Sequence, residues 1–368
     1  MKKFVYFTNI FPHYRKNIWS KLLEQNDFDL DIYYDPTDLN GIQSTPKSNI
    51  DTRRDQLHYL KNIVINGVVI WQTKVIYQCL FATYDKVIFL GEMNIISTWI
   101  AAVISKLRQK EVIFWSHGLY GKEKAFKAFF RRLFYSLADQ HLAYENKGKN
   151  RMVEKGFDPQ KIHVVYNSLD YEHQLRLFKK LETQVKQKKN ELPTLFFIGR
   201  LTRQKKIDLL IQAAIALNKK SPKYQLLIVG DGPERPGLED LAKPLMDKGL
   251  IRFEGAVYDE ACIASLIYNA DLCISPGNIG LTAIHALSYG TPVATHDNFQ
   301  NQMPEAGAVR DFENGFFFKE DDLRDLAEKV DLWFLKYHGK KTKKQLRSVV
   351  DQYYNPNYQL EVFKKVLV

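Results

Sequence analysis

Short runs of β-branched and aromatic residues alternate with amphipathic segments along the whole chain. Runs at 3–8 (KFVYFT), 30–34 (LDIYY), 87–90 (VIFL), 111–115 (EVIFW), 141–145 (HLAYE) and 162–166 (IHVVY) predict strands. Segments such as 15–25 and 96–107 follow strands and carry apolar positions at helical spacing. The pattern restarts at 194–199, 224–230, 250–255, 270–275 and 292–295. Those later strands are nearly all apolar, as expected when both faces of a sheet are covered. Strands alternating with helices predict an α/β fold with parallel sheets, here twice over. The stretch 171–193 is rich in Lys and Gln and closed by Pro193, so it reads as the boundary between domains 1–170 and 171–341. The segment 342–368 is expected to return as a helix onto the first domain. Two doubly wound domains facing each other would leave a cleft lined by strand carboxyl ends, where such sheets bind ligands.

A length of 368 residues suits two domains, and 45% hydrophobic with 26% charged residues excludes a disordered chain. Three cysteines without a CxxC exclude a disulfide scaffold and a thiolate zinc site, and fit a reducing compartment. The opening MKKFVYFTNIFPHYR meets Pro12, His13 and Arg15 before an apolar run can form, so no secretory leader is expected. The charge-free stretch from Met93 to Ser105 is too short to span a bilayer, which takes about 20 apolar residues. A cytoplasmic protein is expected. The net charge is +11, of which residues 1–170 hold +7 (24 Lys+Arg, 17 Asp+Glu). A basic half attracts nucleic acid, anionic membrane or phosphorylated ligands. The absence of any RRM, KH, zinc-finger or basic-zipper pattern argues against nucleic acid.

Three stretches carry candidate chemistry. In 196–213 a buried strand ends at Gly199, Arg200 follows, and Lys205 is expected one turn into the next helix. A guanidinium, an ammonium and a helix N-terminus can converge on one phosphate. The plainer alternative is a solvated basic loop, since Arg203 and Lys206 lie there too. In 226–234, Gly230 and Gly232 permit a tight strand-to-helix turn, but Arg235 stands where a dinucleotide fingerprint needs its third Gly. In 268–298, the loop Gly277-Asn278-Ile279-Gly280 leads into a helix, and Gly280 leaves N–H groups open at its start. His285 on that helix is either a core residue or a ligand-facing one. Asp29-Leu30-Asp31 heads a strand and reads as a solvated strand start rather than a metal site. No pair of carboxylates stands out for a hydrolase.

The order GRL-x₃-K, VGDGP, strand–loop–Gly280-Leu281–helix–GTPV, Pro304-Glu305 and ENGFFF resembles the GT-B glycosyltransferases of family 4. VVYNSLD (164–170) and WSHGLYGKE (115–123) are similar to that family's segments in its first domain. The resemblance implies two Rossmann-like domains, a nucleotide sugar held by the second and a saccharide or lipid-linked saccharide acceptor by the first. It implies retaining transfer without cofactor or metal. By position, Arg200 and Lys205 would hold the diphosphate, and Gly199, Gly230, Gly280 and Leu281 would line it. His285, Asn298 and Glu305 would complete donor binding, and His117 would face the transferred sugar. Asn9, Tyr14 and Arg15 occupy the first strand–helix loop, on the acceptor side, where the family's Gly pair is replaced.

Two family glutamates are also replaced, by Gly277 and His285, and Thr295-His296-Asp297-Asn298 is a candidate substitute for contacts to the sugar. That loss keeps two alternatives open: a noncatalytic GT-B subunit of a transferase complex, or a nucleotide-sugar epimerase. In 122–139, Phe126, Phe129, Phe130, Leu133, Phe134 and Leu137 repeat at helical spacing among Lys122, Lys124, Lys127, Arg131 and Arg132. This stripe is expected to pack in the core, its basic side grazing anionic lipid at the inner face of the membrane.

Overall fold

The computed structural model describes residues 2–38, 43–50, 53–119, 123–184 and 192–368. The chain forms two compact units, Met1–Asp170 with Asn355–Val368, and Tyr171–Tyr354.

The first unit contains β1 (Lys2–Ile10), β2 (Phe28–Asp35), β3 (Leu57–Tyr59), β4 (Asn62–Ile65), β5 (Val69–Gln72), β6 (Lys86–Leu90), β7 (Glu111–Ser116), β8 (Gln140–Ala143) and β9 (Ile162–Val164). Seven of these make a parallel sheet in the order β3-β2-β1-β6-β7-β8-β9, while β4 and β5 pair as an antiparallel hairpin. Successive residues of a strand point to opposite faces. Accordingly Phe4 and Tyr6 pack with Trp19, Trp115 and Phe363, whereas Val5 and Phe7 pack with Phe89, Phe114 and Phe134. Covering both faces explains why β1 has no polar residue between Phe4 and Phe7.

The second unit contains β10 (Thr194–Ile198), β11 (Gln225–Val229), β12 (Ile251–Gly255), β13 (Leu272–Ser275), β14 (Val293–His296) and β15 (Gly315–Phe318). Their order is β12-β11-β10-β13-β14-β15, parallel throughout. Each unit is therefore a Rossmann-like doubly wound sheet.

The stretch 171–193 opens the second unit with a regular helix, Tyr171–Gln184, which buries Phe178 and Gln174; residues 185–191 lie outside the described residues. Two expectations are corrected. The segment 342–368 is two helices in different units. Thr342 caps the first (Lys343–Gln352) in a capping box with Gln345, and this helix belongs to the second unit. Asn355 caps the second (Pro356–Leu367), where Pro356 opens a new helix, and it packs on the first unit. There Gln359 accepts from Ser168 Oγ at 2.5 Å and donates to the Tyr166 carbonyl at 3.1 Å.

The second correction concerns the aromatic stripe. Phe126 and Phe129, on the helix Ala125–Tyr135, are 76% and 64% exposed, while Phe134 is fully buried. The inward face is fixed by Arg131, bidentate on buried Glu123 at 2.8 Å, and by the Tyr135 hydroxyl, which donates to the Gly91 carbonyl. Turning that polar pair inward leaves Phe126, Phe129, Phe130 and Leu133 pointing out. Lys122, counted with the stripe's basic residues, lies outside the described residues.

Candidate functional site

The order of the second sheet reverses between β10 and β13, the switch point where doubly wound sheets bind ligands. The loops leaving these two strands are locked together. The Gly277 N–H donates to the Lys205 carbonyl at 3.0 Å, and Lys205 Nζ donates to the Asn278 carbonyl at 2.7 Å and to Asn278 Oδ1 at 3.1 Å. A Cβ on Gly277 would overlap the Gln204 carbonyl oxygen and stand 2.7 Å from Lys205 Cα. Glycine at 277 is thus the condition for the loops to touch. A glutamate could not stand there without moving them.

Lys205 is not one turn into a helix. It ends a 3₁₀ turn, Arg203–Lys205, and Lys206 then takes a left-handed conformation (φ 49°) before the helix Ile207–Leu217 begins. Burial lowers the Lys205 pKa, the Arg200 guanidinium lowers it further, and Glu305 opposes both. Arg200 itself is exposed. Two cations whose charges act on each other at the carboxyl end of a sheet favour a bound anion.

Glu305 is 4% exposed on the 3₁₀ turn Pro304–Ala308, and its Oε2 would lie 3.9 Å from a Cβ on Gly280. Among the described residues the N–H groups of Gly280 and Leu281 make no hydrogen bond. Ile279 donates its own N–H to Gln302 Oε1 at 2.8 Å, and Gln302 Nε2 donates to Thr295 Oγ1 and the His296 carbonyl. Gln302 therefore fixes this loop, a role that no sequence pattern signalled.

Gly199 and Gly230 do not offer N–H groups to a ligand. The Gly199 N–H donates to the Val229 carbonyl and that of Gly230 to the Gly255 carbonyl. A Cβ on Gly230 would overlap the Gly199 carbonyl oxygen, so this glycine lets the two turns abut. Asn298 is likewise committed: its Nδ2 donates to Glu320 Oε2, a carboxylate that also pairs with Lys206 at 3.0 Å. Thr295 Oγ1 donates to the Ser275 carbonyl and His296 is buried, so the 295–298 stretch braces the sheet edge instead of offering side chains.

His285 is half-buried, with Nε2 3.0 Å from Glu260 Oε1. The same oxygen accepts from Tyr289 at 2.6 Å and Gln174 at 3.2 Å. Burial pushes the Glu260 carboxyl up, and these hydrogen bonds outweigh it, leaving the group below its ordinary value. Glu260 was missed by sequence reasoning, because an acid directly after the capping Asp259 reads as a helix-start signal. At the opposite, amino edge of this sheet a cavity of about 900 Å³ is lined by Asp271, Pro292, Tyr337 and Lys343, away from the switch point.

In the first unit, three of the singled-out residues gather at strand carboxyl ends. His117 follows β7. Its carbonyl is where a Cβ on Gly148 would stand at 2.6 Å, and Gly118 beside it takes φ 75°. Its ring lies 4.7 Å from Tyr144. Burial lowers the His117 pKa to about 4, with Arg15 and Arg131 adding to it, so the imidazole is neutral at pH 7. The Arg15 guanidinium sits 4.8 Å from the Trp115 ring, 4.9 Å from Tyr144 and 5.6 Å from Tyr14. Asn9 is spent on the backbone: its Oδ1 accepts from the Ile10 N–H at 2.8 Å. Asp29 and Asp31 lie within β2, where Asp31 meets His58 at 2.9 Å and accepts from Tyr84 at 3.0 Å.

Residues 178–349 match the family model of glycosyl transferases group 1, so the second unit carries a domain of that family. An alpha-D-kanosaminyltransferase of Streptomyces kanamyceticus is 29% identical over 126 residues, 33% of this chain and 32% of that protein. A GDP-mannose-dependent alpha-(1-6)-phosphatidylinositol dimannoside mannosyltransferase of Mycobacterium tuberculosis is 37% identical over 97 residues, 26% of this chain and 24% of that protein. The chain thus spans about a third or less of the length of these curated relatives. Its fold is that of the lipopolysaccharide outer core galactosyltransferase WaaB, at a TM-score of 0.72 and 16% identity over 99% of this chain and 98% of that one.

Proposed function

From a chain whose second unit carries a group 1 glycosyl transferase domain on a GT-B fold, we propose a glycosyltransferase that draws on a nucleoside-diphosphate sugar. The observation that carries this is Lys205, held on Asn278 two residues before the open N–H groups of Gly280 and Leu281 and acted on by the charge of Arg200, at the switch point of the sheet. The leaving diphosphate gains negative charge as the sugar bond breaks. Preorganised cations and N–H donors stabilise that charge more in the transition state than in the ground state. Metal-independent transfer follows the same logic, because the two cations supply the positive charge themselves, and retention of configuration is taken from the family resemblance.

His285 with Glu260 and the buried Glu305 are hydroxyl-recognition groups for the nucleoside. His117, neutral, is a hydrogen-bonding group for the sugar. The acceptor is a saccharide or lipid-linked saccharide hydroxyl bound by the first unit. Support for a lipid-linked acceptor comes from the outward Phe126, Phe129, Phe130 and Leu133 flanked by Lys124, Lys127 and Arg132. Apolar side chains ringed by cations suit peripheral contact with an anionic bilayer. Among the described residues no helix is long and apolar enough to cross one.

Thermal-shift screening with UDP-, GDP-, ADP- and dTDP-sugars tests the reading. At a hundredfold excess over its dissociation constant, a bound nucleotide adds about 2.7 kcal/mol, or a few degrees. No shift with any of the four would refute it.

A further inference from the structure

Three arginines are buried among the described residues, and two of them have carboxylates. Arg131 is bidentate on Glu123, and Arg347 lies 2.7 Å from Asp351. Arg15 is the exception. It is 8% exposed, its Nε is buried with no hydrogen-bond partner, and no carboxylate lies within 4.0 Å of it among the described residues. Three aromatic rings, Trp115, Tyr144 and Tyr14, lie against it, and the groups that stabilise its charge are the phenols of Tyr6, Tyr14 and Tyr144, the last also through a side-chain hydrogen bond. Ring faces orient a guanidinium but do not replace the water it has lost, so a buried cation needs a counter-charge.

Position narrows what that counter-charge is. Arg15 follows β1, and the rings against it follow or end β7 and β8, so the guanidinium sits at the carboxyl edge of the first sheet, the ligand-binding edge. The neutral imidazole of His117 lies against Tyr144 as well, its ring tilted 48° to the phenol at 4.7 Å. A guanidinium whose Nε–H has no hydrogen-bond partner, set in an aromatic frame, matches a planar carboxylate or a phosphate oxygen pair.

We propose that Arg15 is the ligand of an anionic group, phosphate or carboxylate, carried by the acceptor that the first unit binds. This rests on the acceptor assignment above, since the second unit has its own cation pair for the donor. Phosphate of a lipid or of a sugar and carboxylate of a uronic acid share this chemistry.

Inorganic phosphate and glucuronate, titrated calorimetrically, are the probes. The comparison is Lys205→Ala against Lys205→Ala with Arg15→Gln, which silences the second unit in both. At least one probe should bind the single variant and bind the double variant about tenfold more weakly, as loss of a charge-assisted contact requires. Arg15→Gln alone should melt within about 5 °C of wild type, because no buried carboxylate is left without its cation. Equal binding of both probes in the two variants overturns the proposal. So does a melting point lowered by about 5 °C or more, which marks Arg15 as a structural prop. If UDP or GDP abolishes the Arg15-dependent heat, the group belongs to the donor and the acceptor assignment falls. The donor reading is tested apart from all of this, by nucleotide binding that Lys205→Ala loses and Arg15→Gln keeps.

Discussion

His285 and Glu260 meet at 3.0 Å, a pairing of two helices that restores a carboxylate beside a position where the resembled family has one of its own. The carboxylate comes from a separate helix and is steadied by Tyr289 and Gln174. Glu260→Gln should therefore raise the KM for the donor about tenfold while kcat changes less than threefold, the mark of lost uniform binding. An unchanged KM would detach this pair from the donor.

The same carboxylate makes a pH prediction. Its pKa is lowered in the fold, so the stability it contributes is present above the ordinary Glu value of about 4.3 and fades as pH falls below it. Melting of wild type and Glu260→Gln should differ most near pH 7 and converge as pH falls through the lowered Glu260 value. A gap that widens in acid would contradict the assignment.

Gly277→Glu, which restores the family's residue, should not restore any function. Its Cβ would overlap the Gln204 carbonyl, and overpacking of this kind costs about 1–3 kcal/mol. Urea unfolding should show that loss, and Gly277→Ala should share most of it. A Gly277→Glu protein as stable as wild type would mean the loops can part.

Phe129→Glu should abolish flotation with anionic vesicles and leave the melting point within about 2 °C, since the ring is 64% exposed. Phe134→Ala, on the buried face, should instead cost about 3–5 kcal/mol. Wild-type protein that fails to float with anionic vesicles removes the membrane proposal.

His117 should stay neutral down to about pH 5, because burial and then Arg15 hold its pKa near 4. By NMR its midpoint should rise in Arg15→Gln, where the second cause is gone. An ordinary midpoint in wild type would show the ring is solvated.

Much of the fold was legible because buried parallel strands write themselves as unbroken apolar runs, as in TLFFI and QLLIV. The short strands β3 and β15 and the hairpin β4–β5 were not among the predicted strands. The amphipathic helix 125–135 misled because a hydrophobic stripe reports which face is apolar, and a buried ion pair, Arg131 with Glu123, decided which face turned in. At the site, the spacing singled out Arg200 and Lys205 but put Lys205 inside the helix that it precedes. The pairings of Lys205 with Asn278 and His285 with Glu260 were not legible, because they join residues 73 and 25 positions apart.

Calorimetric titration of UDP and GDP into wild type, Arg200→Ala and Lys205→Ala probes the cation pair most directly. One nucleotide should bind wild type and bind each variant about a hundredfold more weakly, the size expected for a charged group aimed at phosphate. Binding within threefold of wild type in both variants would show that the diphosphate is held somewhere else.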